Sequence, residues 1–299
     1  MSSLLTILPM RKQAWSPHTV AIVLGCGDVG SAVALALHQA GLAVVLVDEA
    51  DPAWHRRGMA FTNAWYVGNA ELESEGACFC ASLKSIPSIL ARRMIAATNW
   101  SWPGVAAALD PALLVDARGR KRRGSDVLRG RVPFTIGIGP GFVDGENVDV
   151  AMAISAESGR GSRGQKADCA NLVDDIPHVG NGCDANCAVE ATRHGRFMTE
   201  RRIGDTVRID QMVGGLGNEV IKAPAGGVLL GLAARGARIE PGDTLVEVDP
   251  GGIAYRCHGV GEAPRRVAAG VLSALAGRGD PARVPVSEST AVFAHYLTR

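Results

Sequence analysis

The segment Val20-Ala-Ile-Val-Leu-Gly-Cys-Gly-Asp-Val-Gly-Ser31 decides the fold, because an apolar run passes through glycines directly into a helical pattern. Val20–Leu24 has the continuous apolar character of a buried strand. Ser31–Ala40 is typical of a helix that ends at Gly41, and Leu42–Val47 is typical of a second strand. Strand, helix and strand in succession predict a parallel sheet with crossover helices.

Gly25, Gly27 and Gly30 form the pattern GxGxxG between this strand and this helix. In dinucleotide-binding proteins these glycines allow a sharp turn, a close approach to a phosphate and tight helix packing. Asp48 follows the second strand about 20 residues on, where a carboxylate can bind a ribose. The pattern predicts a site for a phosphate-bearing ligand; a purely structural turn is the alternative. The Asp28 carboxylate would repel a pyrophosphate unless a cation or an amide intervenes.

Two later strands end in residues that belong to the same candidate site. Ala112–Val115 runs into Asp116 and Arg118, and Phe134–Ile138 runs into the turn Gly139-Pro140-Gly141. Ligands of open parallel sheets bind beyond the carboxyl ends of the strands. Arg118 could hold a phosphate by a bidentate contact, while a solvated basic loop is the alternative. The candidate cofactor-binding residues are Gly25, Cys26, Gly27, Asp28, Gly30, Ser31, Asp48, Asp116, Arg118, Gly139, Pro140 and Gly141.

The composition excludes several classes of partner. The 299 residues include 31 Lys+Arg and 30 Asp+Glu, a net charge of +1, so the chain has no basic field for nucleic acid or an anionic membrane. No apolar run approaches the roughly 20 residues of a membrane-spanning helix. The first residues lack the charge order of a secretory signal, and the 7 cysteines do not form a disulfide framework. We expect a cytoplasmic protein.

The sequence divides into five parts. Residues 1–18 predict a flexible N-terminal arm, and 19–150 predict a Rossmann-like nucleotide- or cofactor-binding domain. Residues 151–190 are a polar connection, 191–277 predict a β-rich domain with a closing helix, and 278–299 form a tail.

The β-rich part contains a weak internal echo. Gly195–Val207 and Gly227–Leu245 each contain a strand, a spacer, a Gly-Asp turn and another strand. Two such halves folded on each other predict a small β-sandwich. Arg265–Ala276 predicts the amphipathic closing helix. The fold class is therefore α/β: a Rossmann-like parallel sheet followed by a small β-domain, for which the resemblance to carrier domains described below implies the barrel-sandwich-hybrid kind. Two less regular segments, Ser85–Ala97 and Gln165–Val173, predict a helix and a short strand.

Several segments resemble the YqeB-type proteins of the selenium-dependent molybdenum hydroxylase system, which are relatives of the XdhC/CoxI maturation factors. The resemblance is carried by 25–41, 113–122, 135–150, 219–252 and 266–277. It implies an accessory protein that matures or inserts the molybdenum cofactor (molybdopterin) of a xanthine-dehydrogenase-like hydroxylase, its client, by binding that cofactor non-covalently. The residues that match the family's motif positions are Gly25, Gly27, Asp28, Asp116, Arg118, Gly139, Pro140 and Gly141.

Cys26 stands where this family usually has alanine. A thiol beside a helix N-terminus has a lowered pKa, so it could bind molybdenum or hold a transferable sulfur. The alternative is a small buried residue. Cys183 and Cys187 lie near residues that could complete a metal site, although ordinary loop positions are the alternative and no metal is predicted. These neighbours are His178, Asp184 and His194.

The β-rich part also resembles biotinyl and lipoyl carrier domains through Ile221–Val228 and Pro241–Asp243. Such a carrier needs a lysine at a hairpin tip just before the first of these segments. The tip, Gln211–Asn218, contains no lysine, and Lys222 belongs to the following strand. We therefore expect neither biotin nor lipoate.

Three functions remain open. The first is the maturation factor just described, and the second is an NAD(P)-dependent oxidoreductase that uses Gly25, Gly27, Gly30 and Asp48. The third is a non-catalytic assembly partner whose β-rich domain docks a client enzyme; a homo-oligomer is also open. Hydrolase and P-loop ATPase functions lack support, because the sequence contains no GxSxG elbow, HExxH or Walker A loop.

Overall fold

A computed structural model describes residues 19–119, 126–152, 187–252 and 254–277. The predicted arm, the strand at Gln165–Val173, most of the polar connection and the tail lie outside these residues. No helix in the described ranges is long and apolar enough to cross a bilayer.

An eight-stranded sheet forms the first part of the molecule. Its strands are β1 Val20–Leu24, β2 Ala43–Val47, β3 Asn69–Leu72, β4 Glu75–Phe79, β5 Ile95–Thr98, β6 Leu113–Asp116, β7 Phe134–Ile138 and β8 Val150–Met152. They lie side by side in the order β3-β4-β5-β2-β1-β6-β7-β8. Every neighbouring pair is parallel except the β3–β4 hairpin. The prediction of a mostly parallel α/β sheet is therefore confirmed.

Helices cover both faces of this sheet, as continuous apolar strands require. The helices are α1 Asp28–Gln39, α2 Asn63–Val67, α3 Ile86–Ala91, α4 Trp102–Leu109 and α5 Glu262–Ala276. Ala21 and Val23 of β1 face a core shared with α1 and α5. Val20 and Ile22 face a second core shared with α3 and α4.

The predicted helix over Ser85–Ala97 is wrong in its second half. A 3₁₀ turn at Leu83–Ser85 leads into α3, which ends at Ala91, and Arg93 then adopts a positive φ of 55°. That left-handed residue breaks the helix, and the chain continues as β5.

The closing helix α5 packs on α1, although the sequence analysis grouped it with the β-rich part. Val267, Val271 and Leu275 of α5 share one buried core with Val33 and Leu37 of α1. The far end of the described chain thus completes the first core.

The β-rich part consists of two four-stranded antiparallel sheets. The strands are β9 Ala188–Glu190, β10 Gly195–Met198, β11 Thr206–Val207, β12 Met212–Leu216, β13 Glu219–Lys222, β14 Gly227–Leu232, β15 Arg238–Ile239 and β16 Thr244–Asp249. One sheet has the order β13-β12-β10-β15 and the other β11-β14-β16-β9. Phe197 and Leu216 of the first share a core with Leu229 and Val246 of the second.

The internal echo has a structural counterpart. Strand β10 of the first half pairs with β15 of the second, and β11 of the first half pairs with β14 of the second. Each sheet therefore contains strands from both halves, and each half depends on the other for its sheet hydrogen bonds.

Candidate functional site

The glycine loop between β1 and α1 lies where the order of the sheet reverses. Strand β1 has β2 on one side and β6 on the other, and β7 follows β6. The predicted residues at the ends of these strands are therefore neighbours at one edge of the sheet. In open α/β sheets this reversal point is where ligands bind.

Gly25 makes the turn out of β1. Its φ is +101°, and a Cβ there would lie 3.0 Å from the carbonyl oxygen of Ala117. Its N–H donates to the Val47 carbonyl over 2.9 Å. A side chain at this position would thus strain the backbone and collide with the loop after β6.

Gly30 and Gly27 allow two different close approaches. A Cβ on Gly30 would overlap the carbonyl oxygen of Gly25, so only glycine lets α1 start this close to the loop. A Cβ on Gly27 would lie 3.1 Å from Cδ2 of Trp54. The Trp54 indole thus covers the glycine that was predicted to approach a phosphate.

Asp48 is bonded to the glycine loop. Its Oδ2 accepts the Cys26 N–H over 2.6 Å, and its Oδ1 accepts the Glu49 N–H over 2.8 Å. The carboxylate therefore fixes the end of β2 to the loop, and a ribose would have to share these oxygens.

Cys26 is a buried thiol, as expected for a small buried residue rather than for a reactive thiolate. Its Sγ lies 3.5 Å from the hydroxyl of Thr62. Burial, reinforced by the nearby charge of Asp48, raises the pKa of the Cys26 thiol well above its usual value. The Cys26 carbonyl accepts the hydroxyls of Ser31 over 2.9 Å and Thr62 over 2.8 Å. Ser31 thus stabilises the loop from the buried side.

Asp28 begins α1, and its charge has a cationic neighbour. Its Oδ1 accepts the Val29 N–H over 2.8 Å, and its Oδ2 lies 4.0 Å from Nη1 of Arg56. A cation thus stands beside the carboxylate that would otherwise repel an incoming phosphate.

Arg118, in the loop after β6, is held by two carboxylates. Its Nε donates to Oδ1 of buried Asp116 over 2.9 Å, and its Nη2 donates to Asp116 and, over 2.9 Å, to Asp126. Burial alone would lower the pKa of Arg118, but these hydrogen bonds outweigh it and raise the pKa. The backbone of Arg118 lies beside Gly25, and a phosphate would have to compete with both acids for the guanidinium.

The turn Gly139-Pro140-Gly141 follows β7 as predicted. Gly139 and Gly141 have φ of +110° and +92°, and the Gly139 N–H donates to Met152 over 2.9 Å. A cavity of about 10 Å³ lies between this turn and the previous loop, which is room for a single water molecule. Its lining residues are Asp116, Arg118, Gly119, Asp126, Ile138, Pro140 and Phe142.

Sequence reasoning missed the segment after β2, which joins the loop to the β-rich part. We call Trp54–Arg57 the clasp. Beyond Trp54, its Arg56 donates to both oxygens of Glu247 over 2.6 Å, and His55 Nε2 lies 2.9 Å from Glu247 Oε2. Burial would raise the pKa of Glu247, but these hydrogen bonds outweigh it and lower the pKa to about 2. Trp54 and Glu247 lie far apart in sequence, so no local pattern indicated this cluster.

The main chain supports the clasp as well. The Leu232 N–H donates to His55 over 2.8 Å, and Arg57 Nε donates to the Leu232 carbonyl over 2.9 Å. A Cβ on Gly231 would overlap the His55 ring, so this strand must lack a side chain where the clasp crosses it. The clasp thus touches the glycine loop on one side and β14 and β16 on the other.

The structure describes only the end of the cysteine-rich connection. Cys187 and His194 are described, whereas Cys183, His178 and Asp184 are not. Within the described residues no group of three or more His, Cys, Asp and Glu side chains could hold a metal ion.

The fold and this site define a two-part α/β protein with a glycine loop at the reversal point of a mostly parallel sheet. No known protein family matches the chain. The chain is similar to the Escherichia coli (strain K12) protein described as "Uncharacterized protein YqeB", with 27% identity over 271 residues. The match covers 90% of this chain and 49% of that relative, so the chain spans about half of the relative's length. The resemblance to YqeB is thus confirmed, while the relationship to XdhC stays a prediction.

Among solved structures, the product-bound ectoine utilization protein EutE (DoeB) from Ruegeria pomeroyi aligns with 77% of this chain and 52% of its own. The identity is 11% and the TM-score is 0.20, which is too low to carry an argument about fold or function.

Proposed function

We propose that this chain is an accessory factor that matures or inserts the molybdenum cofactor of a xanthine-dehydrogenase-like hydroxylase. In this proposal the eight-stranded sheet belongs to a Rossmann-like domain of the XdhC/CoxI kind. This domain binds the cofactor, or a nucleotide, through its phosphate. One observation carries the proposal: the motif residues of three separate segments, Gly25–Asp28, Asp116–Arg118 and Gly139–Gly141, meet at the reversal point of the sheet.

The glycine loop has the features that a phosphate site needs, but the Trp54 ring covers it. The first hydrogen bond of α1 is the one that the Ser31 N–H donates to the Gly27 carbonyl. The N–H groups of Gly27 and Gly30 therefore lie before the hydrogen-bonded part of the helix. Such groups, with the positive end of the helix dipole, favour an anion. Because the Trp54 ring covers Gly27, a phosphate enters in this proposal only when the ring swings away.

An NAD(P)-dependent oxidoreductase is the second candidate, and Asp48 favours it. This carboxylate lies at the end of β2 beside the glycine loop, which is the usual position of the acid that binds the ribose of NAD. In the present arrangement its Oδ2 is bonded to Cys26, so ribose binding would have to replace or share that bond.

For the β-rich part we propose a barrel-sandwich-hybrid fold without carrier chemistry. The turn between β12 and β13 consists of Gly217 and Asn218, narrower than the predicted tip, and Lys222 lies on β13 itself. No described turn therefore offers a lysine where a carrier domain needs one, and we propose that any cofactor is bound non-covalently.

Mass spectrometry of small molecules released from the purified protein tests the first proposal directly. A pterin phosphate is the expected finding. In addition, deletion of the gene should leave the host's xanthine-dehydrogenase-like hydroxylases present but depleted of molybdenum, measured by elemental analysis of the purified enzymes. Full molybdenum content after deletion would contradict the proposal, and tight binding of NADH with no pterin would favour the oxidoreductase.

Ligand entry should be visible in the fluorescence of Trp54. Titration with ADP, NADH or pyrophosphate should shift the emission to longer wavelength, because the ring leaves Gly27 for water. The Trp54→Phe variant should still bind the ligand, by calorimetry, without this shift. Trp100, which is 44% exposed, offers the matched control Trp100→Phe, in which the shift should remain. A shift that persists in Trp54→Phe would contradict the closed loop.

Gly27→Val is expected to weaken binding of the same ligand by about 100-fold or more, because its methyl groups would occupy the path to the loop amides. The extra carbons meet a side chain rather than backbone, so the fold should survive, as circular dichroism can verify. Gly27→Ala adds only one carbon and should give an intermediate loss. Parental affinity in both variants would show that the loop is not the binding site.

A further inference from the structure

The outward face of the β13-β12-β10-β15 sheet carries exposed apolar side chains in register. Met198, Met212 and Val220 are 47%, 59% and 55% exposed. The strand register aligns Met198, Gly215 and Val220 in one row across the sheet, while Met212 lies opposite Lys222 further along the same strands. Because Gly215 lacks a side chain, the row has a shallow groove at its centre. Methionine-rich exposed patches of this kind are common at protein-binding surfaces.

Two arginines face each other at the β15 side of the same surface. Arg196 of β10 pairs with Arg238 of β15, and both are exposed. Like charges directly opposite each other destabilise a sheet. Arg196 donates to the Gly236 carbonyl over 2.8 Å, and Arg238 forms an exposed ion pair with Glu240, in which Nε and Oε1 are 3.6 Å apart. With His194 the two arginines line an open cavity of about 310 Å³.

The charged strand residues of this face are all cationic, and the carboxylate of Glu240, just beyond β15, pairs with one of them, Arg238. Strand alternation places Arg196, Met198, Val220 and Lys222 on the outward side, since Phe197 and Ile221 between them are buried. Among the described strand residues that point outward here, Arg196, Lys222 and Arg238 are cationic and none is a carboxylate. The rest of the protein is nearly neutral, so this surface is a local departure from the balance of charge.

We propose that this face docks an extended segment of a partner protein in which acidic and apolar residues alternate. A carboxylate of the segment would bridge Arg196 and Arg238, which offer paired donors of the kind that hold carboxylates in bidentate geometry. Apolar side chains of the segment would cover Met198, Met212 and Val220. A free phosphate-bearing ligand would engage the arginines but would leave this apolar row in water. The surface is independent of the glycine loop and goes beyond the function proposed for it.

The test uses a fluorescein-labelled synthetic peptide of alternating aspartate and leucine and the full chain, with binding measured by anisotropy. Arg196→Ser/Arg238→Ser and Met198→Ser/Met212→Ser should each weaken binding by about tenfold or more. Arg92→Ser/Arg131→Ser, which removes two exposed arginines elsewhere, should leave it unchanged. Nucleotide binding at the glycine loop should be unaffected in all three, which separates this result from the outcome for the proposed function.

Four results would overturn the proposal. The first is no measurable binding of the peptide, and the second is equal binding to the Arg196→Ser/Arg238→Ser variant. The third is equal binding of an aspartate–glycine peptide, because it would leave no role for the apolar row. In the fourth, sedimentation shows a dimer that Arg196→Ser/Arg238→Ser dissociates, which would assign the face to a second copy of this chain.

Discussion

Gly30→Ala is expected to destabilise the protein by about 3 kcal/mol or more, lowering Tm by roughly 6–12 °C. The added Cβ would overlap the backbone carbonyl of Gly25, and neither β1 nor α1 can move away without disturbing the core on both sides. Overlap with main chain is more costly than overlap with a flexible side-chain tip, because no rotamer change relieves it. Thermal and urea unfolding followed by circular dichroism measure the effect.

Gly104→Ala is the matched control, since Gly104 also lies near the beginning of a helix, α4. There a Cβ would meet only the Ser101 hydroxyl at 3.3 Å, and that side chain can rotate. Alanine is a better helix former than glycine, so this variant should change stability by no more than about 1 kcal/mol, in the stabilising direction. If Gly30→Ala were as stable as its parent, the close packing of loop and helix would be wrong.

Glu247→Ala is expected to cost about 3–5 kcal/mol of unfolding free energy, because it removes the largely buried carboxylate to which both Arg56 and His55 of the clasp are bonded. Arg56→Ala should cost a similar amount of unfolding free energy, since it removes both guanidinium hydrogen bonds from the Glu247 carboxylate. The double variant should be less unstable than the sum of the two, which a double-mutant cycle would show. Additive losses would mean that the pair does not interact.

Stability should also depend on pH through Glu247. Its pKa is about 2 in the folded protein, against 4.5 as its ordinary value. A lowered folded-state pKa stabilises the protein fully above the ordinary pKa and progressively less as pH falls toward the folded one. The difference corresponds to roughly 3 kcal/mol, lost between about pH 4.5 and 2. The difference in unfolding free energy between the parent and Glu247→Gln should therefore become smaller as the pH falls through this range. Glu146→Gln, at an exposed position, is the control whose difference from the parent should show no such trend.

The first strand, the glycine loop, α1 and β2 were predictable because each carries a local signal. Val20–Leu24 is apolar throughout, Gly25 and Gly30 stand where only glycine fits, and β2 begins two residues after Gly41, at Ala43. The meeting of three loops at one edge also followed, since parallel strands end on the same side. Whether these loops bind a ligand stays a prediction.

The clasp could not be predicted, because it depends on contacts between distant parts of the chain. Arg56 and Glu247 are 191 residues apart, and neither stands in a recognisable motif. Trp54 has no sequence feature that would place it over Gly27. The break between α3 and β5 was also missed, since apolar residues recur at helical spacing on both sides of Arg92 and Arg93 and hide the left-handed turn at Arg93.

The contact between α1 and α5 has a consequence for synthesis on the ribosome. Helix α1 leaves the exit tunnel more than two hundred residues before α5, so the part of its apolar side that contacts α5 stays exposed while the intervening chain is translated. A nascent chain arrested before Glu262 should therefore attract chaperones and proteases for as long as α5 is absent. Splitting the gene between the two parts would leave the N-terminal fragment in that vulnerable state permanently.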